Sequence, residues 1–316
     1  MALKLALVVP CYNEESILDN SLKRLLKLLH SLYSEKIISH ESAILCVDDG
    51  SIDSTWEIIE TFSASFPNVS GIKLARNVGH QNALLAGLTN VLDYDISITI
   101  DADLQDDISV IKSMIEKANC DCDIVYGVRS SRDADSFIKK KSAQLFYDLM
   151  QNSGTEVIPN HADFRLMSKR AVEKLLTFSE RNLFLRGIVP LIGFKSDIVY
   201  YERKPRNGGK TKYPFMNMLS LAIEGITSFS VRPIRLIFTV GLIFLIITLT
   251  VTIYVVISIL LGNSYPGWAS LMLSLWFIGS LVLMALGIIG EYVSKIYLEV
   301  KHRPRFFIEK KSKEKL

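Results

Sequence analysis

Charge of one sign is the first thing this sequence lacks. Its 36 lysines and arginines stand against 33 aspartates and glutamates, a formal net charge of +3, so overall charge alone names no partner. Basic and aromatic residues do not interleave, which argues against nucleic acid. Cysteine is also scarce, with four in 316 residues. Cys11 and Cys46 fall in strand-like runs and fit thiols in a reducing compartment; Cys120 and Cys122 form a C-x-C with no second pair or histidine cluster, which argues against zinc. There is no internal repeat and no Ser/His/Asp nucleophile motif. No signal peptide is visible, because the apolar start from Leu5 to Val9 is short and runs into PCYNEE without a small-residue cleavage site. The N-terminal two thirds is therefore expected in the cytoplasm.

Charge is missing altogether from Leu236 to Gly262 and again from Gly267 to Gly290. Each run exceeds the roughly 20 apolar residues that cross a hydrocarbon core. Two transmembrane helices joined by the uncharged loop Asn263 to Pro266 are the direct reading, because a buried helical hairpin seldom stays uncharged that long. Arg203, Lys204, Arg206, Lys210, Lys212, Arg232 and Arg235 precede the first run, and Lys295, Lys301, Arg303 and Arg305 follow the second. The positive-inside rule then puts both ends in the cytoplasm, on a multi-pass chain in the inner membrane. The expected order is a catalytic domain over 1–213, a juxtamembrane segment over 214–232, spans over 233–262 and 267–291, and a basic tail over 292–316. The juxtamembrane segment reads equally as an interfacial helix or a docking helix. The tail after Phe307 reads as disordered.

Before the apolar runs, short Val- and Ile-rich stretches alternate with amphipathic ones. Leu5 to Val9, Ala43 to Val47, Val69 to Leu74, Ile96 to Ile100 and Asp123 to Val128 read as strands. The stretch carrying Leu18, Leu22, Leu25 and Leu29 reads as a helix. Such alternation predicts an α/β, Rossmann-like, mostly parallel sheet covered on both faces, with ligands at the carboxyl ends of the strands. From Ser136 to about Tyr201 the pattern loosens into helices and irregular segments, including HADFRL and ERNLFLRG.

The chemically unusual residues gather at those strand ends. Asp101-Ala102-Asp103 puts two carboxylates on one side of an extended segment. Their repulsion makes a divalent cation a natural companion, and hard oxygens favour Mg²⁺ or Mn²⁺ bridging substrate phosphates. A solvated turn is the alternative; Gln105 and the strand-end position favour the cation. Asp106 and Asp107 read as caps of a helix beginning near Ile108. VDDGS places Asp48 to accept hydrogen bonds from a base or ribose, with Gly50 permitting the turn, and Asp53, Ser54 and Thr55 read as helix caps. PCYNEE offers Tyr12 to pack on a base and Glu14 for a polar contact. GGKT, Gly208 to Thr211, mimics the end of a P-loop without its first glycine or its strand-to-helix context. Arg206 and Lys212 beside it suit a pyrophosphate or lipid head groups. Asp163 and Arg165 in HADFRL suggest a partly buried pair, structural or functional.

In order along the chain, VVPCYNEE, VDDGSIDST, RNVGHQNALLAGL, DADLQDD, ADFRLMS, ERNLFLRG, RNGGKTKY and GEYVSKIYLEVKHRPRF resemble the family 2 glycosyltransferases of the GT-A fold. More narrowly they resemble the polyprenyl-phosphate sugar transferases, and QDD is similar to the bactoprenol glucosyltransferases. The resemblance implies that Pro10, Tyr12, Glu14, Asp48 and Ala102 meet the nucleotide. It implies Asp101, Asp103 and Gln105 as the metal group, and Arg129, Arg206 and Lys212 at phosphates. Asp163 and Asp103 are the implied catalytic residues. Position 108 is Ile where many relatives have Pro, a departure that bears on the next helix start.

The implied reaction is inverting transfer of a hexose, with UDP-glucose the first expectation, from a nucleotide sugar to polyprenyl phosphate. A phosphate monoester has a second pKa of about 6, so the acceptor is largely ionised at neutral pH and Asp163 is open as a base or an orienting group. The implied partners are the nucleotide sugar, the polyprenyl phosphate, the bilayer and a second copy of the chain through the C-terminal helices. A processive polysaccharide synthase would carry Q-x-x-R-W before the membrane, and that motif is absent. A catalytically idle scaffold would have no need of Asp101, Asp103 and Gln105.

Overall fold

A computed structural model describes residues 2–130, 161–180, 184–202, 232–261 and 267–313. The chain divides into two units, one of Met1–Gln151, Glu156–Tyr213 and Arg303–Leu316, the other of Asn152–Thr155 and Pro214–His302.

The first unit is built on an eight-stranded sheet: β1 (Leu5–Cys11), β2 (Ala43–Asp48), β3 (Val69–Leu74), β4 (Ile96–Thr99), β5 (Ile124–Arg129), β6 (His161–Ser168), β7 (Ser196–Tyr201) and β8 (Ile308–Lys311). Their spatial order is β7-β5-β6-β4-β1-β2-β3-β8. The β1–β2, β1–β4, β2–β3 and β5–β7 pairs are parallel, whereas β6 is antiparallel to β4 and β5, and β8 to β3. The sheet is thus mostly parallel, as the alternation predicts. Between β1 and β4 the strand order reverses, the place where such sheets open a ligand crevice.

Helices α1 (Leu18–Ser34), α2 (Thr55–Ser65), α3 (His80–Thr89), α4 (Ile111–Asn119), α5 (Lys169–Thr177) and α6 (Leu185–Leu191) belong to the same unit. Every residue of β1 and β2 is buried, because each strand has helices on both faces. On one face Leu5, Leu7 and Val9 share a core with Leu22 and Leu25 of α1, Ile59 of α2 and Met114 of α4. On the other, α3 comes in closely at Gly87, where an added Cβ would lie 2.3 Å from Val8 Cγ1 and 2.9 Å from Val47 Cγ2.

Three elements depart from the sequence reading, the first being β7, a strand within the stretch expected to hold only helices and irregular segments. HADFRLMS is a strand rather than irregular chain, with Phe164 and Leu166 on one side of the sheet and Asp163 and Arg165 on the other. The tail is ordered over Ile308–Lys311, where it covers the edge of β3 with the register Ile72↔Lys311 and Lys73↔Lys310. Ser312 Oγ accepts from the Gly71 N–H at 2.7 Å, and Lys313 Nζ donates to the carbonyls of Phe66 and Pro67 at 2.9 and 3.1 Å.

The second unit holds α7 (Arg232–Leu260) and α8 (Trp268–Val300). Apolar side chains such as Ile246, Ile253 and Leu260 on α7 and Leu283, Leu286 and Val293 on α8 are exposed. Among the described residues, one stretch, Phe277–Val300, is long and apolar enough to cross a membrane. The expected juxtamembrane helix over 214–231 lies outside the described residues.

Candidate active site

The reversed strand β6 assembles the centre of the site. It pairs with β4 in the register Thr99↔Arg165, and two further steps bring Asp163 level with Asp101 beyond the end of β4. The Thr99 hydroxyl donates to the Asp163 carbonyl and fastens this junction. His80, at the start of α3, fills the gap: its Nε2 lies 3.5 Å from Asp101 Oδ1 and 3.5 Å from Asp163 Oδ2.

Asp163 is surrounded by cations. Arg165 Nη2 donates to its Oδ1 at 2.6 Å, and Arg186 Nη2 donates to its Oδ2 at 3.2 Å. Arg165 is fully buried and also donates to the Leu185 carbonyl at 3.4 Å, while the Leu185 N–H donates to Gln81 Oε1 at 2.8 Å. Burial alone pushes the Asp163 carboxyl up, but Arg186, His80 and Arg165 outweigh it and hold Asp163 well below the usual carboxylate range. The same packing pulls His80 down, yet Asp163 and Asp101 prevail and keep the imidazole above its ordinary value.

Asp101 has the opposite environment. Burial first, then repulsion from Asp163, Asp106 and Asp103, raise its carboxyl to about 6 against the attraction of His80. Leu104 takes φ 45°, closing a tight turn in which its N–H donates to the Asp101 carbonyl at 3.1 Å. The Gln105 N–H donates to Asp103 Oδ1 at 3.3 Å, and Ala102 and Gln105 are buried. Among the described residues, no group of three or more His, Cys, Asp and Glu could hold a metal unaided. A pair of carboxylates is what Mg²⁺ or Mn²⁺ needs when substrate phosphates supply further oxygens. The repulsion that lifts Asp101 is what a cation would relieve, so the residues fit such a metal.

The two acidic residues after Gln105 part company. Asp107 caps the 3-10 turn Ile108–Val110 by accepting from the Ser109 N–H at 3.3 Å. Asp106 is not a cap: it is buried, and its Oδ1 accepts from the Tyr201 hydroxyl at 2.5 Å and Arg129 Nη2 at 3.2 Å. Arg129, expected at a phosphate, is thus tied into the sheet by Asp106 and Tyr201 with its side chain 28% exposed.

At β1 and β2 the two strand-end loops are stitched together. The Asn13 N–H donates to Ser51 Oγ and the Ile52 N–H to Asn13 Oδ1, each at 3.0 Å; the Glu14 N–H donates to Thr55 Oγ1 at 2.9 Å. Asp53 accepts from the Thr55 N–H at 3.1 Å and the Glu15 N–H at 3.2 Å, so it serves both α2 and the neighbouring loop. Gly50 has φ 68° and so little room that a Cβ would lie 2.5 Å from the Arg76 carbonyl carbon. Asp49 accepts from the N–H groups of Val78 and Gly79 at 2.8 and 3.0 Å and fixes the loop that leads to His80. Within this frame Pro10 is buried, Tyr12 is 45% exposed and Glu14 half-buried. Asp48 is fully buried; its Oδ1 takes the Ser51 N–H at 3.2 Å, and its Oδ2 has no hydrogen-bond partner. Burial pushes its carboxyl up, against the pull of Ser51.

The structure therefore gathers Asp101, Asp163 and Arg165 with His80 and Arg186, two residues that sequence reasoning missed. Both lie in quoted motifs, RNVGHQNALLAGL and ERNLFLRG, but only the β4–β6 register says what they face. Arg206 and Lys212 lie outside the described residues.

Residues 6–176 match the family described as glycosyl transferase family 2. The chain belongs to that family. Family 2 membership makes it a glycosyltransferase, and its α/β sheet is of the GT-A type. It is 52% identical over 306 residues to the uncharacterized glycosyltransferase YkoT of Bacillus subtilis (strain 168), covering 96% of this chain and 91% of that one. It is 38% identical over 313 residues to the prophage bactoprenol glucosyl transferase homolog of Escherichia coli (strain K12), covering 98% and 100%. Among solved structures, mannosyl-3-phosphoglycerate synthase from Rubrobacter xylanophilus superposes with a TM-score of 0.48 at 15% identity, covering 74% of each chain.

Proposed function

We propose that this family 2 transferase moves glucose from UDP-glucose to the phosphate of a membrane polyprenyl phosphate, inverting the anomeric centre. Likeness along nearly the whole chain to bactoprenol glucosyl transferases supports the acceptor class. The observation that carries the chemistry is the cation cluster around Asp163. A carboxylate bonded to Arg165 and Arg186 and facing His80 is stabilised in its charged form and is thereby a weaker proton acceptor. A sugar hydroxyl acceptor needs a base; a phosphate monoester, with a second pKa of about 6, does not. Asp163 accordingly orients Arg186 and His80 at the acceptor side rather than removing a proton. This favours the polyprenyl phosphate over a processive synthase.

In this reading Tyr12 packs on the base, Asp48 accepts from it through its unpartnered oxygen, and Pro10, Glu14 and Ala102 shape the pocket. Asp101, Asp103 and Gln105 would hold Mg²⁺ or Mn²⁺, which would supply Lewis-acid neutralisation of charge on a departing diphosphate. Arg206 and Lys212 meet phosphate oxygens, and Arg129 does so while remaining braced by Asp106. The exposed apolar surfaces of α7 and α8 are suited to a bilayer, where the acceptor's hydrocarbon stays while its phosphate reaches the site. A homo-oligomer formed through these helices completes the proposed arrangement.

The test is incubation of the purified chain with radiolabelled nucleotide sugars and polyprenyl phosphate. Label is expected in a single-sugar lipid with UDP-glucose and Mg²⁺ or Mn²⁺, and it should disappear on chelation. Label found only in long polymer would sink the proposal. Asp103→Asn should lower turnover by about a hundredfold or more while the protein stays folded and membrane-bound; turnover near that of the parent would remove the metal assignment.

A further inference from the structure

Helix α5 ends at Thr177, and helix ends leave carbonyls that the helix cannot satisfy. Two carbonyls just beyond it, those of Phe178 and Glu180, accept from a single group, Nη2 of Arg305, at 2.5 and 2.7 Å. Arg305 is half-buried and comes from the opposite end of the chain, in the segment leading to β8. A few residues later, both backbone groups of Leu185 are held by Gln81 and Arg165, and Arg186 closes on Asp163. Phe178 and Glu180 are thus held by the C-terminal segment, and Leu185 and Arg186, a few positions further along the chain, by the catalytic cluster.

We propose that Arg305 is a positioning residue for glycosyl transfer. By fixing the carbonyls of Phe178 and Glu180, which lie a few peptide units before Leu185 and Arg186 in the chain, it limits where those two residues can lie and so how Arg186 meets Asp163. It acts on the site through the carbonyls of Phe178 and Glu180. The inference rests on the proposed assignment of the Asp163 cluster to the acceptor side. The loops at Asn13, Asp48 and Ser51 are held by their own hydrogen bonds, so nucleotide binding does not depend on Arg305.

The experiment uses the full chain in detergent with Arg305→Ala, Arg305→Lys and Ser312→Ala. Ser312 ties the same segment to Gly71 and Ser63 but has no bond to the Phe178 or Glu180 carbonyls. Arg305→Ala is expected to speed amide exchange across 184–191 and to lower kcat/KM for polyprenyl phosphate by about tenfold, with the Kd for UDP within about twofold. Arg305→Lys, which keeps the charge and loses the planar fork, should recover part of that loss. Ser312→Ala should lower the unfolding midpoint and leave the kinetic and exchange values alone. Unchanged exchange at 184–191, a parallel loss of UDP binding, or the same kinetic loss in Ser312→Ala would each overturn the proposal. If the unsubstituted protein transfers no sugar to polyprenyl phosphate, the proposed function fails, and exchange at 184–191 still decides the role of Arg305.

Discussion

Burial acts on Asp48 and Asp163 in the same direction, yet the two carboxyls move oppositely: around Asp163 the cations outweigh burial, whereas at Asp48 the pull of Ser51 and of Lys73 does not. Asp163 meets two guanidiniums and an imidazole; Asp48 is held by Ser51 through one oxygen and keeps the other unpartnered. An aspartate whose folded pKa lies above its unfolded value of about 3.9 is penalised at neutral pH, and the penalty vanishes once both states are protonated. Asp48→Asn should therefore raise stability at pH 7 by about 1 kcal/mol, with the gain disappearing below the unfolded pKa. Nucleotide affinity should fall at the same time. Denaturant melts at pH 7 and pH 3 together with UDP titration check this; lower stability at pH 7 would mean that Asp48 serves the fold and not the ligand. Residue types and positions at the strand ends were legible in the sequence, and pairing was not. Asp106 and Asp107 are adjacent and alike on paper, but Arg129 and Tyr201 claim one of them from distant strands.

At the scale of elements, β1 to β5 were legible because buried parallel strands are short Val- and Ile-rich runs with turn residues after them. β6 was not, because Asp163 and Arg165 drew attention as chemistry while the alternating Ala162, Phe164 and Leu166 passed unread as a strand. β8 was hidden for a different reason: IEKK has the short, charged composition of an edge strand, which resembles a solvated tail. Close approach between elements leaves its own mark, as Gly87 does between α3 and β1. Gly87→Val should cost about 1–3 kcal/mol through overpacking against Val8 and Val47. Thermal unfolding of the purified chain reads this directly, and an unchanged midpoint would show that α3 can shift at no cost.

For the molecule as a whole, the two charge-free runs became the long helices α7 and α8, which carry the proposal that the chain spans the membrane twice. In a background with the exposed Cys120 replaced by serine, Ser264→Cys should react with a membrane-impermeant maleimide only from the side opposite the catalytic unit. Labelling from the cytoplasmic side alone would refute the two-span topology. Cys11, Cys46 and Cys122 are buried and should remain silent in this experiment.

The pairing of β8 with β3 also imposes an order in time. Residues 308–311 follow both apolar helices in the chain, so synthesis must pass through α7 and α8 before the strand that covers β3 exists. Until then β3 presents unpaired N–H and C=O groups, a template for any other extended chain. Biogenesis therefore has a vulnerable interval whose length is set by how fast the helices are made. A chain interrupted after α8 would keep the strand-end loops and Asp101 while leaving the β3 edge uncovered and adhesive.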